Sequence, residues 1–327
     1  MSLLHPVKIG SRKASSNIFM APLSGCTDLA FRLVAREHGV ELCFFEMIDA
    51  HSIIYGPSKK TLSILKTVPE DVPMAAQLLG KDPEIMLSAA KRILDLAEIS
   101  FLDINAACPV KKVIKKHCGA YLLKEPKYLY EVIEKLAHAL PVPVTVKIRV
   151  GYDKTDNDAI ASIVKRCAQS GAAAIFVHGR TRLEAYAGDI DYCAIRRIKD
   201  AVNIPVFGSG NVFNADLAKK MFDETGCDGI MVARGALGNP WIFREIRDYL
   251  SSGRTAACAE AAQKKTVLKK HISYIERYKD CSPSGRVGFM RKVAFWYLKK
   301  FQNAKRIREK VTLVKSYDEM IQLIDSL

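Results

Sequence analysis

Cys108 lies in the run DINAACPVKK (Asp103 to Lys112), directly before Pro109, whose fixed φ and missing N–H stiffen the turn that carries the thiol. An ordinary thiol has a pKa of roughly 8.5 and is protonated at neutral pH, so a sulfur held there could give a proton to carbon. With His178 or Lys111, Lys112, Lys115 and Lys116 beside it, the same sulfur could instead be a thiolate nucleophile. Residue chemistry alone leaves both roles open. Other capable groups stand at the ends of apolar runs: Gln77, Asn105, Lys147, Arg149, His178 and Arg180. Two glycine-rich stretches follow, Gly208-Ser209-Gly210-Asn211 and Ala233-Arg234-Gly235. Their glycines let backbone N–H groups approach an anion, and Arg234 can pair with a phosphate dianion. Either stretch alone reads as a simple turn; the two together favour a phosphate site. Lys147 needs an anionic partner. The partner could be a reduced flavin ring, whose amide edge Gln77 could meet, or a nearby carboxylate, and a Schiff-base role is the other functional reading.

The elements that would bring these groups together are eight short apolar, β-branched segments with helix-like stretches between them: Asn17 to Leu23, Glu41 to Met47, Pro73 to Leu79, Ser100 to Asn105, Pro143 to Arg149, Ala173 to Gly179, Ile204 to Gly210 and Asp228 to Arg234. Eight strand–helix units in about 240 residues predict an α/β fold, a closed (β/α)8 TIM barrel. A doubly wound sheet would show G-x-G-x-x-G after its first strand, whereas here that strand leads into APLSGCTD. In a barrel, working groups collect on the loops at the C-terminal ends of the strands, and phosphates often sit on the last two. The stretch VKIGSRKASSNIF is expected to form a small hairpin across the barrel's base.

After Asn239 to Phe243 (NPWIF) the strand pattern stops, and Ser251-Ser252-Gly253 reads as a connection, so residues 1–243 are expected to form the barrel and 251–327 a helical bundle. Lys264 to Asp280, Val287 to Phe301 and Val314 to Leu327 repeat apolar residues at helical spacing, with Ser282 to Gly285 as a breaker. The chain of 327 residues carries a formal charge of +15, and from Ser251 onward 17 Lys and Arg face 7 Asp and Glu. That excess is read either as a solvated helical surface or as a face for a polyanion. Nine cysteines without a C-x-x-C pair suggest neither a disulfide framework nor a metal site. With no apolar run of about 20 residues and no apolar leader, the cytoplasm is the expected address and a monomer the default.

Taken in order, these blocks resemble those of the tRNA-dihydrouridine synthase family. MAPLSGCTDLAFR (Met20 to Arg32) is similar to its A-P-M-A-G-V-T-D segment, EMIDA (Glu46 to Ala50) to E-M-V-S-A, and DINAACPVKKV with GAYLLKEP to D-I-N-x-G-C-P-x-K-x-V and G-A-x-L-L. VTVKIR resembles its V-K-x-R strand and HGRTR its H-x-R-T segment, while GSGNV and ARGALGNPWIF fall where the family holds a flavin phosphate. RVGFMRKVAFWYLKK (Arg286 to Lys300) resembles the M-R-K-x-x-x-W-Y-L-K helix of the bacterial B-type subgroup. The resemblance implies that Pro22, Leu23, Ser24, Gln77, Lys147, His178, Ser209, Gly210, Asn211, Ala233 and Arg234 line an FMN site. It implies Cys108 as proton donor to uracil C5 after hydride delivery to C6, NADPH (or NADH) as reductant, and Asn105, Lys147, His178 and Arg180 at the uracil edge. For the RNA it implies Arg286, Arg291, Lys292, Lys299, Lys300, Lys305, Arg306 and Arg308 as contacts, with Phe295 and Trp296 as packed core.

Departures from the family pattern sit close to the thiol. Ala106-Ala107 precede the Cys-Pro pair, Ser209 replaces a common Asn, Ala233 a common Gly, and His117-Cys118 occupy a loop of usually small residues, so Cys118 is a candidate oxidation partner for Cys108. Three other readings fit less of the chain or as much of it. An FMN barrel reductase of a small molecule, dihydroorotate dehydrogenase-like, leaves the cationic helices without a task. A non-catalytic RNA-binding protein leaves Cys108, Lys147 and His178 without one. A dihydrouridine synthase acting on rRNA fits equally well.

Overall fold

The computed structural model describes residues 3–254, 259–299 and 301–327, so Cys258 and Lys300 lie outside the described residues. Strands β1 (Val7–Ile9) and β2 (Arg12–Ala14) form an antiparallel hairpin. The barrel follows as β3 (Ile18–Met20), β4 (Cys43–Phe44), β5 (Ile48–Asp49), β6 (Met74–Leu79), β7 (Leu102–Ala106), β8 (Val144–Arg149), β9 (Ile175–His178), β10 (Val206–Ser209) and β11 (Gly229–Val232). All barrel pairings are parallel, in the order β3-β11-β10-β9-β8-β7-β6-β4. A parallel bridge between Phe19 and Leu42, with the Met20 amide donating to the Leu42 carbonyl at 3.1 Å, closes the ring.

The predicted second strand is broken in two. Cys43 pairs with Met74 and Ile48 with Leu78, so five steps on one side oppose four on the other. The extra residue is a bulge, which bends the strand and re-aims the side chains between Phe45 and Met47. Elsewhere the period of two is plain. Val144, Val146 and Ile148 face the surrounding helices in the main core, while Thr145, Lys147 and Arg149 face the barrel axis. Six of the helices that follow barrel strands start on an Asp or Asn cap, Asp28, Asp49, Asp82, Asp156, Asp191 and Asn214, whose side chains accept from the amide three residues on. Such caps contribute roughly 1 kcal/mol each and fix where each loop ends.

Below the polar axis the barrel is stoppered by aromatics. Phe19, Phe44, Phe101, Phe176 and Phe207 are fully buried together, with Phe19 stacked on Phe207 at 4.8 Å between centroids. Each such ring contributes about 1.5–3 kcal/mol by leaving water. Val7 and Ile9 of the hairpin join the same cluster, and Gly10 abuts Pro143 and Ala173 at the N-terminal ends of their strands, so the hairpin lies across the base as expected. This plug leaves the opposite mouth as the open end.

The helix Ile242–Ser252 packs Ile242, Phe243 and Ile246 into the barrel's core and ends at Gly253, whose φ of 68° suits glycine. Beyond it stand helices Ala261–Tyr278, Pro283–Leu298, Ala304–Leu313 and Tyr317–Asp325 around a second core that includes Leu268, Ile272, Met290, Leu298, Val311 and Met320. Ala304–Leu313 was not expected as a separate helix, and the expected breaker starts a helix instead: Ser282 caps it and Pro283 is its first residue. The bundle docks on the first barrel helix, Leu29–Glu37. Lys279 pairs with Asp28 at 2.7 Å, Tyr274 Oη donates to Glu37 at 2.5 Å, and Phe31 meets the edges of His271 and Trp296. Phe295 also packs against this second core. No helix among the described residues is long and apolar enough to cross a membrane.

Candidate active site

A cavity of about 560 Å³ opens at the C-terminal mouth of the barrel. Its wall carries Pro22, Leu23 and Ser24 from the loop after β3, Gln77 from β6, Asn105 from the end of β7 and Cys108 just after it, and Lys147 from β8. His178, Ser209, Gly210, Asn211, Ala233 and Arg234 complete it from the last three strands and their loops. The barrel thus brings thirteen of the expected residues to one space, although they span more than 200 positions of sequence.

The thiol is fixed by a relay that starts beneath the cavity. Asp103, fully buried, accepts from Thr145 Oγ1 at 2.8 Å and from Gln77 Nε2 at 2.7 Å. That sets the Gln77 amide, whose Oε1 accepts from Asn105 Nδ2 at 2.7 Å. Asn105 Oδ1 in turn accepts from the Ala107 and Cys108 amides at 3.1 and 2.9 Å. The relay exists because strand register places Gln77 beside Asp103 and Asp103 beside Thr145. Asn105 therefore borders the cavity with both its amide atoms engaged, and its chief structural effect is to hold the Cys108 turn.

Burial pushes the Cys108 thiol above its ordinary pKa, against smaller opposing effects from the Val110 backbone and Arg149. A raised thiol is a protonated thiol at neutral pH. His178 is pushed down to about 2, first by burial and then by the cations Lys147, Arg149, Arg180 and Arg234 around it. It is a neutral imidazole, and since Arg180 Nη1 can only donate, Nε2, 3.4 Å away, is the acceptor and Nδ1 carries the hydrogen. Lys147 Nζ donates to Ser209 Oγ at 3.5 Å, its one hydrogen bond among the described residues. Burial holds it below the usual ammonium range, the buried Asp103 charge partly offsets this, and Asp103 is held above the usual carboxylate range.

These groups fit a phosphate-bearing, planar heteroaromatic cofactor such as a flavin nucleotide. Lys147, in no ion pair among the described residues, offers a cation at the cavity floor, and Gln77 an amide on the same wall. The two last loops close on one another so tightly that a Cβ on Gly235 would lie 2.0 Å from the Val212 carbonyl oxygen, and one on Gly210 would lie 2.4 Å from Ile190 in the loop after β9. Bare backbone is what an anion cradle requires. Asn211 holds a left-handed φ of 52°, and its Oδ1 accepts from Arg180 Nη2 at 3.1 Å. Arg234 lies against the rings of Tyr186 and Phe213, at 5.0 and 5.5 Å.

Some expected residues stand elsewhere. Arg180 is buried behind His178 and donates to the Gly188 carbonyl, off the cavity wall. Arg286 donates to Glu276 at 3.1 Å and to the Cys281 carbonyl at 3.0 Å; Arg291 donates to the Val314 carbonyl at 2.9 Å. Lys292 donates to the Gly25 carbonyl where bundle and barrel meet. Lys299, Lys305, Arg306 and Arg308 are exposed. Cys118 turns its sulfur to the Lys116 carbonyl at 3.3 Å and does not line the cavity, whereas Cys26 does. Sequence reasoning gave no role to Cys26, Met47, Tyr186 or Phe213, which all border the cavity. Arg149 also borders it and ties two loops, through the Ala107 carbonyl after β7 and the Thr181 and Ala185 carbonyls after β9.

Solved structures of similar fold include a histamine dehydrogenase from Rhizobium sp. 4-9, at TM-score 0.60 and 15% identity over 83% of this chain and 50% of that one. A morphinone reductase in complex with tetrahydroNAD matches at TM-score 0.57 and 12% identity, over 81% and 94%. At such identities the likeness is one of fold. The barrel, its plugged base and a cavity whose wall carries a protonated thiol, an ammonium and side-chain amides are those of a (β/α)8-barrel oxidoreductase. The family model described as "Dihydrouridine synthase (Dus)" matches residues 19–326. Relatives include tRNA-dihydrouridine synthase B of Pseudomonas aeruginosa, 33% identical over 95% of this chain and 92% of the relative, and that of Vibrio parahaemolyticus, 31% identical over 98% of each. The chain belongs to the dihydrouridine synthase family.

Proposed function

We propose that the chain reduces the C5–C6 double bond of a uridine in tRNA to 5,6-dihydrouridine, with FMN in the barrel cavity, NADPH as electron source and Cys108 as the proton donor. The observation that carries this reading is the Cys108 thiol, protonated by burial and locked by Asn105 at the wall of a cavity whose floor offers the Lys147 ammonium. When bound, the flavin supplies the hydride that C6 accepts and is recharged by the nicotinamide. The chain's own part is positioning and proton delivery. Lys147 meets negative charge at the ring's edge, Gln77 holds the ring's amide side, and the Gly210, Asn211 and Arg234 loops hold the phosphate. Pro22, Leu23, Ser24, Ser209 and Ala233 shape the remaining wall. Neutral His178, with Arg180 behind it, presents Nδ1–H to a uracil carbonyl, and Cys108 Sγ–H gives its proton to C5.

A stacked uridine cannot lie on a flavin, so the nucleotide must leave its helix and the rest of the RNA must be held meanwhile. The basic bundle, residues 251–327, serves that end beside the catalytic barrel, and the cytoplasm, where tRNA is found, is the place of action. The names of the relatives favour tRNA over rRNA. The reading is tested with purified protein, NADPH and unmodified tRNA. Dihydrouridine should form with wild type and not with Cys108→Ala, while both oxidise NADPH. Wild type that forms none on tRNA rejects it.

A further inference from the structure

The turn that carries Cys108 continues into an outward row of cations. Val110 and Val113 face the cavity, and the helical turn Lys111–Ile114 with the residue that ends it exposes Lys111, Lys112 and Lys115. The turn is rigid. Ala120 donates to the Cys108 carbonyl at 3.1 Å, and Gly119, at φ 63°, packs so closely under Cys108 and Val113 that a Cβ would lie 2.8 Å from each. Lys116 anchors the far end by pairing with Asp49 at 2.8 Å. Lys111, Lys112 and Lys115 make no ion pair among the described residues. By contrast Arg286, Arg291 and Lys292 of the bundle are engaged by its own carbonyls, a carboxylate or the Gly25 carbonyl.

We infer that Lys111, Lys112 and Lys115 form a phosphate grip on the barrel rim that holds the RNA backbone flanking the target uridine. The inference rests on the reading of the chain as a uridine reductase. If C5 is to meet the Cys108 thiol, the nucleotide's own ribose and its two flanking phosphates must remain at the cavity mouth, next to this turn. Phosphates there lose hydration and gain from fixed cations, and a rigid turn sets where the sugar stands relative to the thiol. The grip and the thiol share one short covalent segment, so holding the backbone also sets the approach of the base.

The test is tRNA binding by the flavin-loaded protein as a function of salt, for wild type and for Lys111→Gln/Lys112→Gln/Lys115→Gln. Each lost phosphate contact lowers the slope of log affinity against log salt by about 0.7–0.9. Three contacts lower it by roughly 2 and weaken binding on the order of 10- to 100-fold near physiological salt. NADPH-driven flavin reduction should stay unchanged, and the triple arginine variant should restore both slope and affinity. Unaltered slope and affinity in the glutamine variant overturn the inference. So does a raised KM for NADPH with tRNA binding intact, which would assign the turn to the dinucleotide. A wild type that binds no tRNA sinks the reading beneath the inference, and that result is distinct from a wild type that binds and a variant that binds equally.

Discussion

Replacing Asn105 by alanine removes three hydrogen bonds to nitrogen or oxygen partners at once, Nδ2 to Gln77 at 2.7 Å and Oδ1 from the amides of Cys108 and Ala107 at 2.9 and 3.1 Å, besides a weaker one from Nδ2 to Met47 Sδ at 3.2 Å. Fully buried and left unpaired, such groups would cost about 1–3 kcal/mol each. Here the open cavity lets water reach some of them, so about 1 kcal/mol per bond is the better figure, roughly 3 kcal/mol in all. For a barrel of this size that corresponds to a fall in melting temperature of about 6 °C. The larger effect is on the reaction, because the thiol's turn loses its tether, and a misplacement near 1 Å can cost about 100-fold in rate. Thermal melting followed by circular dichroism and single-turnover assays on tRNA measure the two effects separately. NADPH-driven flavin reduction should stay within about 2-fold of wild type, since the relay's effect is on the thiol. If Asn105→Ala melts within 1 °C of wild type and reduces uridine at the wild-type rate, the relay from Asp103 to Cys108 does not position the donor.

The raised thiol pKa predicts that uridine reduction is flat from about pH 6 to 8 and falls only on the alkaline side, as Cys108 deprotonates; a rate that rises with pH there would instead indicate a thiolate. Because His178 stays neutral down to about pH 2, no inflection near 6.5 should appear in the same profile. Lys147 has a folded pKa lowered from 10.5 to about 8, so between those values the unfolded chain holds the extra proton and stability from this group rises with pH. Lys147→Met should flatten that rise in apoprotein melting curves while weakening FMN binding; a loss of apoprotein stability at pH 7 would contradict a desolvated, unpaired ammonium. Gly235→Ala places a methyl 2.0 Å from the Val212 carbonyl oxygen, so the loops must part and FMN affinity, measured by equilibrium titration, should fall at least 10-fold.

The eight strands could be located from sequence because barrel strands are short β-branched runs buried on both faces, and the chemistry at their ends announces itself by residue type. The hairpin at the base was legible from its glycine turn. What lay hidden depends on partners set by register or by distant loops. Asp103 was visible within DINAACPVKK, but its link to Gln77 needs the offset between two strands that no local pattern reports. The bulge that splits the second strand leaves no mark beyond the run ELCFFEM itself. Tyr186 and Phe213 meet Arg234 only once two loops fold over the mouth. For the basic bundle, sequence reported the charge of Arg286 and Arg291 but not the carbonyls that hold them, since an unpaired C=O at a helix end has no signature in residue type.

The most direct test of the central claim is nucleotide-resolution mapping of dihydrouridine in tRNA and rRNA from cells with the gene, without it, and with Cys108→Ala in its place. One or more tRNA sites should carry dihydrouridine with the gene and lose it in the other two. Identical dihydrouridine maps in all three would contradict that claim.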